Sequence, residues 1–329
     1  MKWIERKPEY LNYTFDSHHP PILKVDLGES FMLETEDAPS GSYRAPEDAA
    51  NLLEPWYLKH SPPKSNPITG PVFIEGVEPG DTLVVHIEKL EVDSQGVTYW
   101  RPGHKPLGDS AKWKELSTPT MVIGEVREGE VVMEEATTWE DQAARRHPLG
   151  LRVRKAPFIG TIGVAPEREV ETSVFGQGSW GGNLDVRDIC PGTRALIPCY
   201  HEGGLLYVGD VHACQGDTEF YGTAMEIRSA VTLRCEVIKH KRVPFMRLEK
   251  ADSIISLACA RPLEEAVWRA SLQLMEWLID EYHCSPRQAY LLLGVNPDFH
   301  INVYQMALMG KLQYTVGAEI SKRNLVGLG

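Results

Sequence analysis

The residues best suited to chemistry lie at positions 209–219, which read Gly-Asp-Val-His-Ala-Cys-Gln-Gly-Asp-Thr-Glu. Three carboxylates, one imidazole and one carboxamide fall within these eleven residues. Side chains two positions apart share one face of a strand, so Asp210 and His212 are predicted to point the same way. Beyond a turn permitted by Gly216, Asp217 and Glu219 are predicted to share a face as well. These pairs are typical of metal binding or acid–base chemistry, and the alternative is a polar hairpin with solvated carboxylates.

A second polar group occupies residues 178–185, which read Gly-Ser-Trp-Gly-Gly-Asn-Leu-Asp. Asn183 and Asp185 are again two positions apart, and they offer a neutral oxygen beside an anionic one. Gly181 and Gly182 are interpreted as glycines that let the backbone approach a ligand or metal closely. Two such groups in one chain favour a shared site, whereas a Gly-Gly turn with a solvated asparagine is the simpler interpretation.

The composition limits the class of protein. With 329 residues and 42% hydrophobic composition, the chain can form a substantial core in one or two domains. It has no apolar run of about eighteen residues that would span a membrane, and its charged N-terminus lacks an apolar secretory segment. A net charge of −12 argues against nucleic-acid binding, and six scattered cysteines argue against a disulfide framework. We therefore expect a soluble cytoplasmic protein that binds neither membrane nor nucleic acid.

Turn residues recur ahead of β-rich runs, which predicts a mainly β fold with sandwich-like layered β-sheets and a C-terminal α-helical layer. The predicted strands include 31–34, 82–87, 159–164, 194–198 and 224–238. Apolar residues at helical spacing predict one helix over 262–282. Ser285 and Pro286 predict the start of a second helix over 287–293, which Gly294 ends.

The chain is expected to divide into two parts. Residues 1–248 are predicted to form a β-rich core that contains both polar groups, and residues 249–329 to form a C-terminal helical segment packed on the same core. Residues 93–148 resemble an insertion between strands. The helices are interpreted as a packing layer and an oligomer contact, so we expect a homo-oligomer.

Five blocks of sequence, in order, resemble the acetamidase/formamidase family of small-amide hydrolases. The blocks are 34–38 (Glu-Thr-Glu-Asp-Ala), 66–81 (Asn-Pro-Ile-Thr-Gly-Pro-Val-Phe-Ile-Glu-Gly-Val-Glu-Pro-Gly-Asp), 159–166 (Ile-Gly-Thr-Ile-Gly-Val-Ala-Pro), 181–185 (Gly-Gly-Asn-Leu-Asp) and 209–212 (Gly-Asp-Val-His). The resemblance implies formamide or acetamide as substrate, with a carboxylic acid and ammonia as products. It also implies a C-terminal helical pair.

Amide hydrolysis requires an activated water, a polarised carbonyl and a proton for the departing nitrogen. A divalent metal can provide the first two, and two carboxylates with one imidazole favour zinc, although calcium or magnesium stays open. The candidate ligands are Asp185, Asp210 and His212, with Asp37 as an additional ligand. The candidates for acid–base catalysis are Glu219, its rival Glu36, and His212. Asn183 and Gln215 are the candidate residues for binding a small amide substrate.

Three alternatives to this interpretation remain at the level of sequence. Cys214 lies between His212 and Gln215, where a histidine-activated thiolate is conceivable. A non-catalytic β-sandwich module that binds a divalent cation and a small polar ligand would show the same motifs, and would be favoured if Glu219 pointed away from the metal. Polar groups that only support an oligomer interface would bind no metal.

Overall fold

The structure is a computed structural model that describes residues 1–101, 112–307 and 309–325. Strands account for 44% of it and helices for 16%, which confirms the mainly β, layered fold. The strands of the first half are β1 (Lys2–Ile4), β2 (Leu11–Asn12), β3 (Thr14–Phe15), β4 (Leu23–Val25), β5 (Ser30–Thr35), β6 (Ile68–Ile74), β7 (Thr82–Trp100), β8 (Thr120–Val126), β9 (Glu130–Glu140), β10 (Ala143–Arg154) and β11 (Phe158–Val164). Those of the second half are β12 (Glu171–Thr172), β13 (Gln177–Gly178), β14 (Gly181–Asn183), β15 (Arg194–Pro198), β16 (Leu206–His212), β17 (Glu226–Ile238), β18 (Arg247–Glu249), β19 (Ser253–Ala260), β20 (Phe299–Gln305) and β21 (Tyr314–Ser321).

The centre of the fold is a set of antiparallel strands around β16 and β17. β17 pairs with β5, β7 and the end of β16, while β16 also pairs with β6 and β11. Every residue of β11 and of β16 is buried. A strand covered on both faces normally carries apolar side chains throughout. Polar side chains on β16 therefore lie inside the protein, which is where a water-excluding site can form.

Two α-helices cover the C-terminal strands: α1 (Leu263–Asp280) and α2 (Pro286–Val295). α1 packs on β19 and β21 and buries a stripe that includes Leu274, Trp277 and Leu278. Ser285 caps α2 through a hydrogen bond from the Gln288 backbone N–H, as the sequence predicted. The predicted end at Gly294 was wrong, since α2 continues to Val295. Neither helix is long and apolar enough, within the described ranges, to cross a membrane.

The segment after residue 249 contributes strands as well as helices. β19, β20 and β21 pair antiparallel in the order β19–β21–β20, and β18 joins them to β15 of the preceding part. The division into a β-rich core at 1–248 and a helical segment at 249–329 stays a prediction. β20 ends at Gln305, whose side chain reaches the site described below.

Residues 93–148, predicted to be an insertion, contain the last eight residues of β7, all of β8 and β9, and the first six residues of β10. β7, β8, β9 and β10 pair successively in antiparallel register. Residues 102–111 of this segment lie outside the described residues. The first half of β7 pairs with β17 and β15, so the extension grows directly out of the central sheet.

Candidate active site

Three strands bring the two polar groups of the sequence together. β11 pairs antiparallel with β14 and with β16. Thr161 of β11 lies opposite Asn183 in one pair and opposite Gly209 in the other. Asp185 lies just beyond β14 and Asp210 lies within β16. The two polar groups therefore meet at β11 in one buried region.

Asp185, Asp210 and His212 form a compact group there, called the acid–histidine group below. One ligand-type atom from each residue lies within 4.8 Å of the other two. His212 Nε2 is 3.3 Å from Asp210 Oδ1 and 3.2 Å from Glu226 Oε2. Their exposed fractions are 1% for Asp185, 4% for Asp210 and 1% for His212, so water is excluded from the group. Asp210 and His212 indeed face each other, as their spacing of two predicted.

Gly160 makes room for the two aspartates. A Cβ atom at this position would lie 2.7 Å from Asp185 Oδ1, 2.7 Å from the Asp210 carbonyl oxygen and 2.9 Å from Asp210 Oδ2. The Gly160 carbonyl oxygen also accepts the Asp185 backbone N–H at 3.0 Å. The absence of a side chain here lets both carboxylates occupy the same small space.

Gly181 and Gly182 have a packing role that the sequence did not suggest. A Cβ at Gly181 would lie 2.2 Å from the Ile162 carbonyl oxygen, and one at Gly182 would lie 2.1 Å from the Gly176 carbonyl oxygen. Both glycines also have positive φ angles, 107° and 116°. They allow close contact between neighbouring backbones, and an approach of this backbone to a ligand or metal stays a prediction.

Strained backbone is concentrated at this site. Eleven non-glycine residues of the described chain have positive φ, and five of them lie at or beside the acid–histidine group: Asn66, Asp185, Asp210, Thr218 and Glu219. Such conformations cost on the order of 1–3 kcal/mol each and tend to persist at functional sites. The surrounding structure must therefore hold these residues firmly in place.

The site carries a large excess of acidic groups. Asp185, Asp210, Glu219 and Glu226 are all buried around the imidazole of His212. Burial raises the pKa of Asp185 to about 8, and the nearby charge of Asp210 adds to the rise. Burial, together with the charge of Asp185, raises the pKa of Glu219 well above its usual range. Burial disfavours a charged imidazole, but Glu226 and Asp210 outweigh it and raise the pKa of His212. Protons or a bound cation must compensate this charge.

Gln215 fixes the orientation of the His212 ring. Its Nε2 donates to the carbonyl oxygens of Asp185 and Tyr304, both at 3.2 Å, and these oxygens can only accept. Its Oε1 must then be the atom 3.0 Å from His212 Nδ1, so Nδ1 donates to it. In the neutral ring this leaves a lone pair on Nε2, directed at the carboxylates. Gln215, predicted to bind substrate, is thus engaged with protein groups.

The donor set fits a divalent metal of the zinc type. Catalytic zinc sites use three nitrogen or oxygen ligands from the protein and keep one position open. Three buried atoms here have no hydrogen bond of good geometry among the described residues: Asp185 Oδ1, His212 Nε2 and Glu226 Oε2, although the last two lie 3.2 Å apart. Buried acceptors without partners are costly unless a cation or proton satisfies them. Asp185, Asp210 and His212 would hold such an ion, with Glu226 beside them.

Glu219 lies against this group, whereas Asp217 does not. Glu219 is 6% exposed, and it lies close enough to Asp185 for the charge of Asp185 to raise its pKa. The Asp217 side chain is 65% exposed and pairs with Arg187 at the surface. The chain forms a short 3-10 turn here with a left-handed residue at Thr218, so the prediction that Asp217 and Glu219 share a face was wrong.

Several neighbours of the group were not found from the sequence. Glu226 begins β17, Thr161 Oγ1 lies 3.1 Å from Asp210 Oδ2, and the Gln305 side-chain amide donates to Asp185 Oδ2. A charged residue between Met225 and Ile227 at the start of a buried strand was the one available signal for Glu226. Thr161 and Gln305 carry no comparable signal, because each acts only through residues far away in the chain.

The Asn183 side chain is hydrogen-bonded to protein groups, although Asn183 also lines the cavity described below. Its Nδ2 donates to the Val174 carbonyl oxygen at 3.0 Å, and its Oδ1 accepts from Thr161 Oγ1 at 3.2 Å. The side chain therefore positions Thr161 and the loop before β14. Direct substrate binding by Asn183 stays a prediction.

Glu36 and Asp37 lie in a separate ion cluster. Glu36 pairs with Arg6, Arg44 and Arg228. Asp37 pairs with Arg44 and accepts the Gly41 backbone N–H at 2.7 Å, while burial raises its pKa to about 6. The structure thus does not bring Asp37 into the acid–histidine group, and arginines already neutralise Glu36.

Cys214 points to the outer side of the same segment. It is half-buried and borders an open groove of about 420 Å³ together with Gln215 and Glu219. Burial raises the pKa of its thiol, which disfavours the thiolate form. His212 Nδ1 is bonded to Gln215 and is not available to activate the sulfur.

A small cavity opens onto the acid–histidine group. Its volume is about 130 Å³, and Asp210, Glu219 and Glu226 border it on one side. The remaining lining includes apolar side chains and a few polar ones: Leu58, Tyr99, Val174, Phe175, Met309, Ser65, Asn66, Arg101, Asn183 and Thr223. One water occupies about 30 Å³ of liquid, so the cavity accepts a molecule of only a few heavy atoms.

Comparison with known proteins places the chain in a family. The model of the acetamidase/formamidase family matches residues 3–177 and 174–303. A formamidase of Methylophilus methylotrophus is 24% identical over 270 residues, a match that spans 67% of this chain and 62% of that relative. The match thus spans less than two thirds of that relative's length.

Two solved structures share the fold over nearly their whole length. An acetamidase from Bacillus halodurans superposes with a TM-score of 0.81 at 28% identity, over 98% of both chains. An acetamidase from Yersinia enterocolitica superposes with a TM-score of 0.80 at 29% identity, over 97% of this chain and 90% of that one. On the extent of the family match, this chain belongs to the acetamidase/formamidase family.

Proposed function

We propose that this protein hydrolyses small linear amides of the formamide or acetamide type to a carboxylic acid and ammonia, with the help of a divalent metal. The observation that carries the proposal is a buried Asp–Asp–His group beside a cavity of about 130 Å³, in a member of this family. The cavity size supports a substrate with a very short acyl chain. The donor set supports zinc over calcium or magnesium, which prefer oxygen ligands alone.

The residues of the site have separate roles in the proposed hydrolysis. When bound, the divalent ion supplies Lewis-acid polarisation and acidifies water. Asp185, Asp210 and His212 hold the ion, and Gln215 and Thr161 orient them. Burial of the whole group excludes bulk water, which strengthens its electrostatic interactions.

Glu219 carries the proton in this proposal. A water oxygen bonds to the amide carbon, and Glu219 accepts the proton that this water loses. The C–N bond then breaks while Glu219 delivers the proton to nitrogen, which leaves as ammonia. A raised pKa suits a carboxyl group that must both take up and release a proton near neutral pH. Glu226 contacts His212 Nε2 and adds negative charge that favours cation binding.

The alternative of a non-catalytic binding module is less well supported. It required Glu219 to point away from the metal site, whereas Glu219 is buried and lines the same cavity as Asp210 and Glu226. The proposal is tested by measuring ammonia release from formamide, acetamide and propionamide before and after chelation, with metal content determined on the same sample. We expect release that is lost on chelation and restored by zinc. No release from any of the amides by metal-loaded protein would overturn the proposal.

Substitution of Glu219 separates catalysis from binding. Glu219→Gln is expected to lower the rate of ammonia release by about 10²–10⁴, the usual contribution of a general acid–base group, while metal content is retained. Asp217→Asn is the matched control, because this neighbouring carboxylate is exposed and pairs only at the surface. Equal rates for the two variants would exclude Glu219 as the proton carrier.

The cellular setting is also a proposal. All six cysteines are unpaired, which supports a reducing compartment such as the cytoplasm. Large apolar side chains on the helices are exposed, among them Trp268 at 67%, Tyr290 at 72% and Val295 at 75%, which supports assembly of identical chains through this layer. Light scattering of the purified protein and of Trp268→Glu tests the second point, since a monomer in both samples would contradict it.

A further inference from the structure

Asn66 lines the cavity and has one side-chain atom without a partner among the described residues. The residue is 2% exposed, and its Oδ1 accepts no hydrogen bond from any described group. Its Nδ2 donates to Thr161 Oγ1 at 3.0 Å and to the Ser173 carbonyl oxygen at 3.1 Å. Because a carbonyl oxygen can only accept, the atom facing Ser173 must be the nitrogen. Oδ1 is therefore fixed as a buried acceptor without a partner.

The surrounding backbone holds Asn66 firmly in this position. Its φ angle is 57°, a left-handed conformation that asparagine tolerates better than most residues. Its backbone N–H donates to the Ala38 carbonyl oxygen at 2.8 Å. Gly209 of β16 lets the next residue approach closely, since a Cβ there would lie 2.3 Å from the Pro67 carbonyl oxygen. An unsatisfied buried acceptor costs stability, so a residue held this firmly is expected to serve a ligand.

The other side-chain acceptors next to Asn66 have partners or assigned roles. Asn183 Nδ2 donates to the Val174 carbonyl oxygen, and Asn183 Oδ1 shares the one Thr161 hydroxyl proton with Asp210 Oδ2, at 3.2 and 3.1 Å. Asp210 and Glu226 belong to the charged group that would surround the cation, and Glu219 is assigned the proton transfer. Asn66 Oδ1 is a neutral acceptor next to them, joined to Asp210 through the single hydroxyl of Thr161.

We propose that Asn66 recognises an N–H of the substrate carboxamide and excludes carbonyl compounds that have none. This rests on the proposed function. Asn66 Oδ1 accepts an N–H of the carboxamide, so the carbonyl oxygen turns to the acid–histidine group. An ester, a ketone or a tertiary amide has no N–H to offer, and its binding would leave Oδ1 unpaired. Sites built to accept such a hydrogen bond discriminate strongly against analogues without it.

The test compares acetamide with acetone, in which a methyl group replaces NH₂ at nearly equal size. Competitive binding of the two to the purified full chain is measured by saturation-transfer NMR, and acetate formed in the same sample reports turnover. We expect the wild type to prefer acetamide by at least about tenfold, the equivalent of one neutral hydrogen bond. Equal binding of acetamide and acetone by the wild type would overturn the inference, because an acceptor that recognises N–H must favour acetamide. This result would be visible without any variant.

Two substitutions at the same position separate recognition from structure. Asn66→Gly accommodates the positive φ and removes the acceptor, so the preference for acetamide should disappear. Asn66→Asp keeps an oxygen facing the cavity, so a preference should remain. Ser65→Ala is the matched control, since the Ser65 hydroxyl is bonded to the Ala38 carbonyl oxygen, and it should leave the preference unchanged. A preference that survives in a folded Asn66→Gly protein would overturn the inference.

The outcomes for Asn66 and for the proposed function can be told apart. Preferential acetamide binding without acetate formation would contradict hydrolysis and leave amide recognition standing. Acetate formation with no preference between acetamide and acetone would contradict the role of Asn66 and leave hydrolysis standing.

Discussion

Replacing Gly160 with alanine tests whether the site depends on the space that this glycine leaves. The φ of Gly160 is not among the positive values, so alanine can adopt the backbone conformation and only the added methyl group matters. That methyl would lie 2.7 Å from Asp185 Oδ1 and 2.9 Å from Asp210 Oδ2, and also 2.7 Å from the Asp210 carbonyl oxygen. The third contact is with backbone, so it cannot be relieved by rotation of a side chain.

The size of the effect follows from these distances. A comfortable contact needs about 3.5 Å, so the neighbours must move by roughly 0.8 Å. Overpacking of this kind typically costs about 1–3 kcal/mol of unfolding free energy. Functional groups must be held within about 0.5 Å of the productive geometry, and an error of about 1 Å can cost on the order of 10²-fold in rate. We therefore expect Gly160→Ala to weaken zinc binding and to lower ammonia release by about 10²-fold.

Gly216→Ala is the matched control for this experiment. It lies in the polar segment 209–219, a Cβ there would meet nothing within 4 Å, and its φ of −81° suits alanine. Zinc affinity from a competing chelator, urea unfolding and ammonia release would be measured on both variants. If Gly160→Ala matched Gly216→Ala in all three measurements, the packing of the two carboxylates against Gly160 would not matter, and the reasoning would be refuted.

Three further predictions address charge and mechanism. Asp210→Ala is expected to abolish metal binding and turnover together, as checked by metal analysis and ammonia release on one sample, and retained full activity would exclude the metal role. In chelated protein, burial and the charge of Asp210 raise the pKa of Asp185 from 3.8 to about 8, so the folded state binds this proton more tightly than the unfolded state. The resulting stabilisation is fully present below the unfolded pKa and is lost as pH rises through about 8. Urea unfolding should therefore show a free energy of unfolding that falls from about pH 5 to about pH 8, and added zinc should make this fall smaller. A rise in the free energy of unfolding over this range would contradict the prediction. Cys214→Ala is expected to leave ammonia release unchanged, because burial raises the pKa of the thiol and His212 is bonded to Gln215; a large loss of activity would support a thiolate mechanism.

Sequence pattern correctly predicted the structure where residues close in the chain determine the geometry. The spacing of Asp210 and His212 predicted that they would meet, because both lie in one strand and side chains two apart share a face. Ser285 and Pro286 likewise predicted the start of α2. The same rule failed at Asp217 and Glu219, where a left-handed residue between them turns one side chain inward and the other outward. Asp210 is itself left-handed, with a φ of 53°, so the two cases differ in whether the left-handed residue belongs to the pair or lies between its members.

Contacts between strands that are far apart in the chain could not be predicted from local sequence pattern. Glu226, Thr161 and Gln305 reach the site from three strands, and nothing in their immediate neighbours fixes which strands will pair. Gln215 was predicted to bind substrate because of its chemistry, but its partners are backbone carbonyl oxygens placed by tertiary structure. The sequence therefore indicates which groups are available, while topology decides whether each of them contacts a ligand or another residue.

The contribution of β20 has a consequence for how the protein is made. Gln305 donates to Asp185, and the Tyr304 carbonyl oxygen holds the amide that orients His212. Chains are synthesised from the N-terminus, and earlier segments fold first. The residues that would hold the proposed cation therefore emerge from the ribosome about a hundred positions before those that steady them. A ribosome that stalls before β20 releases a chain with its acidic cluster unsupported, so we expect any metal to be loaded only after β20 has been made.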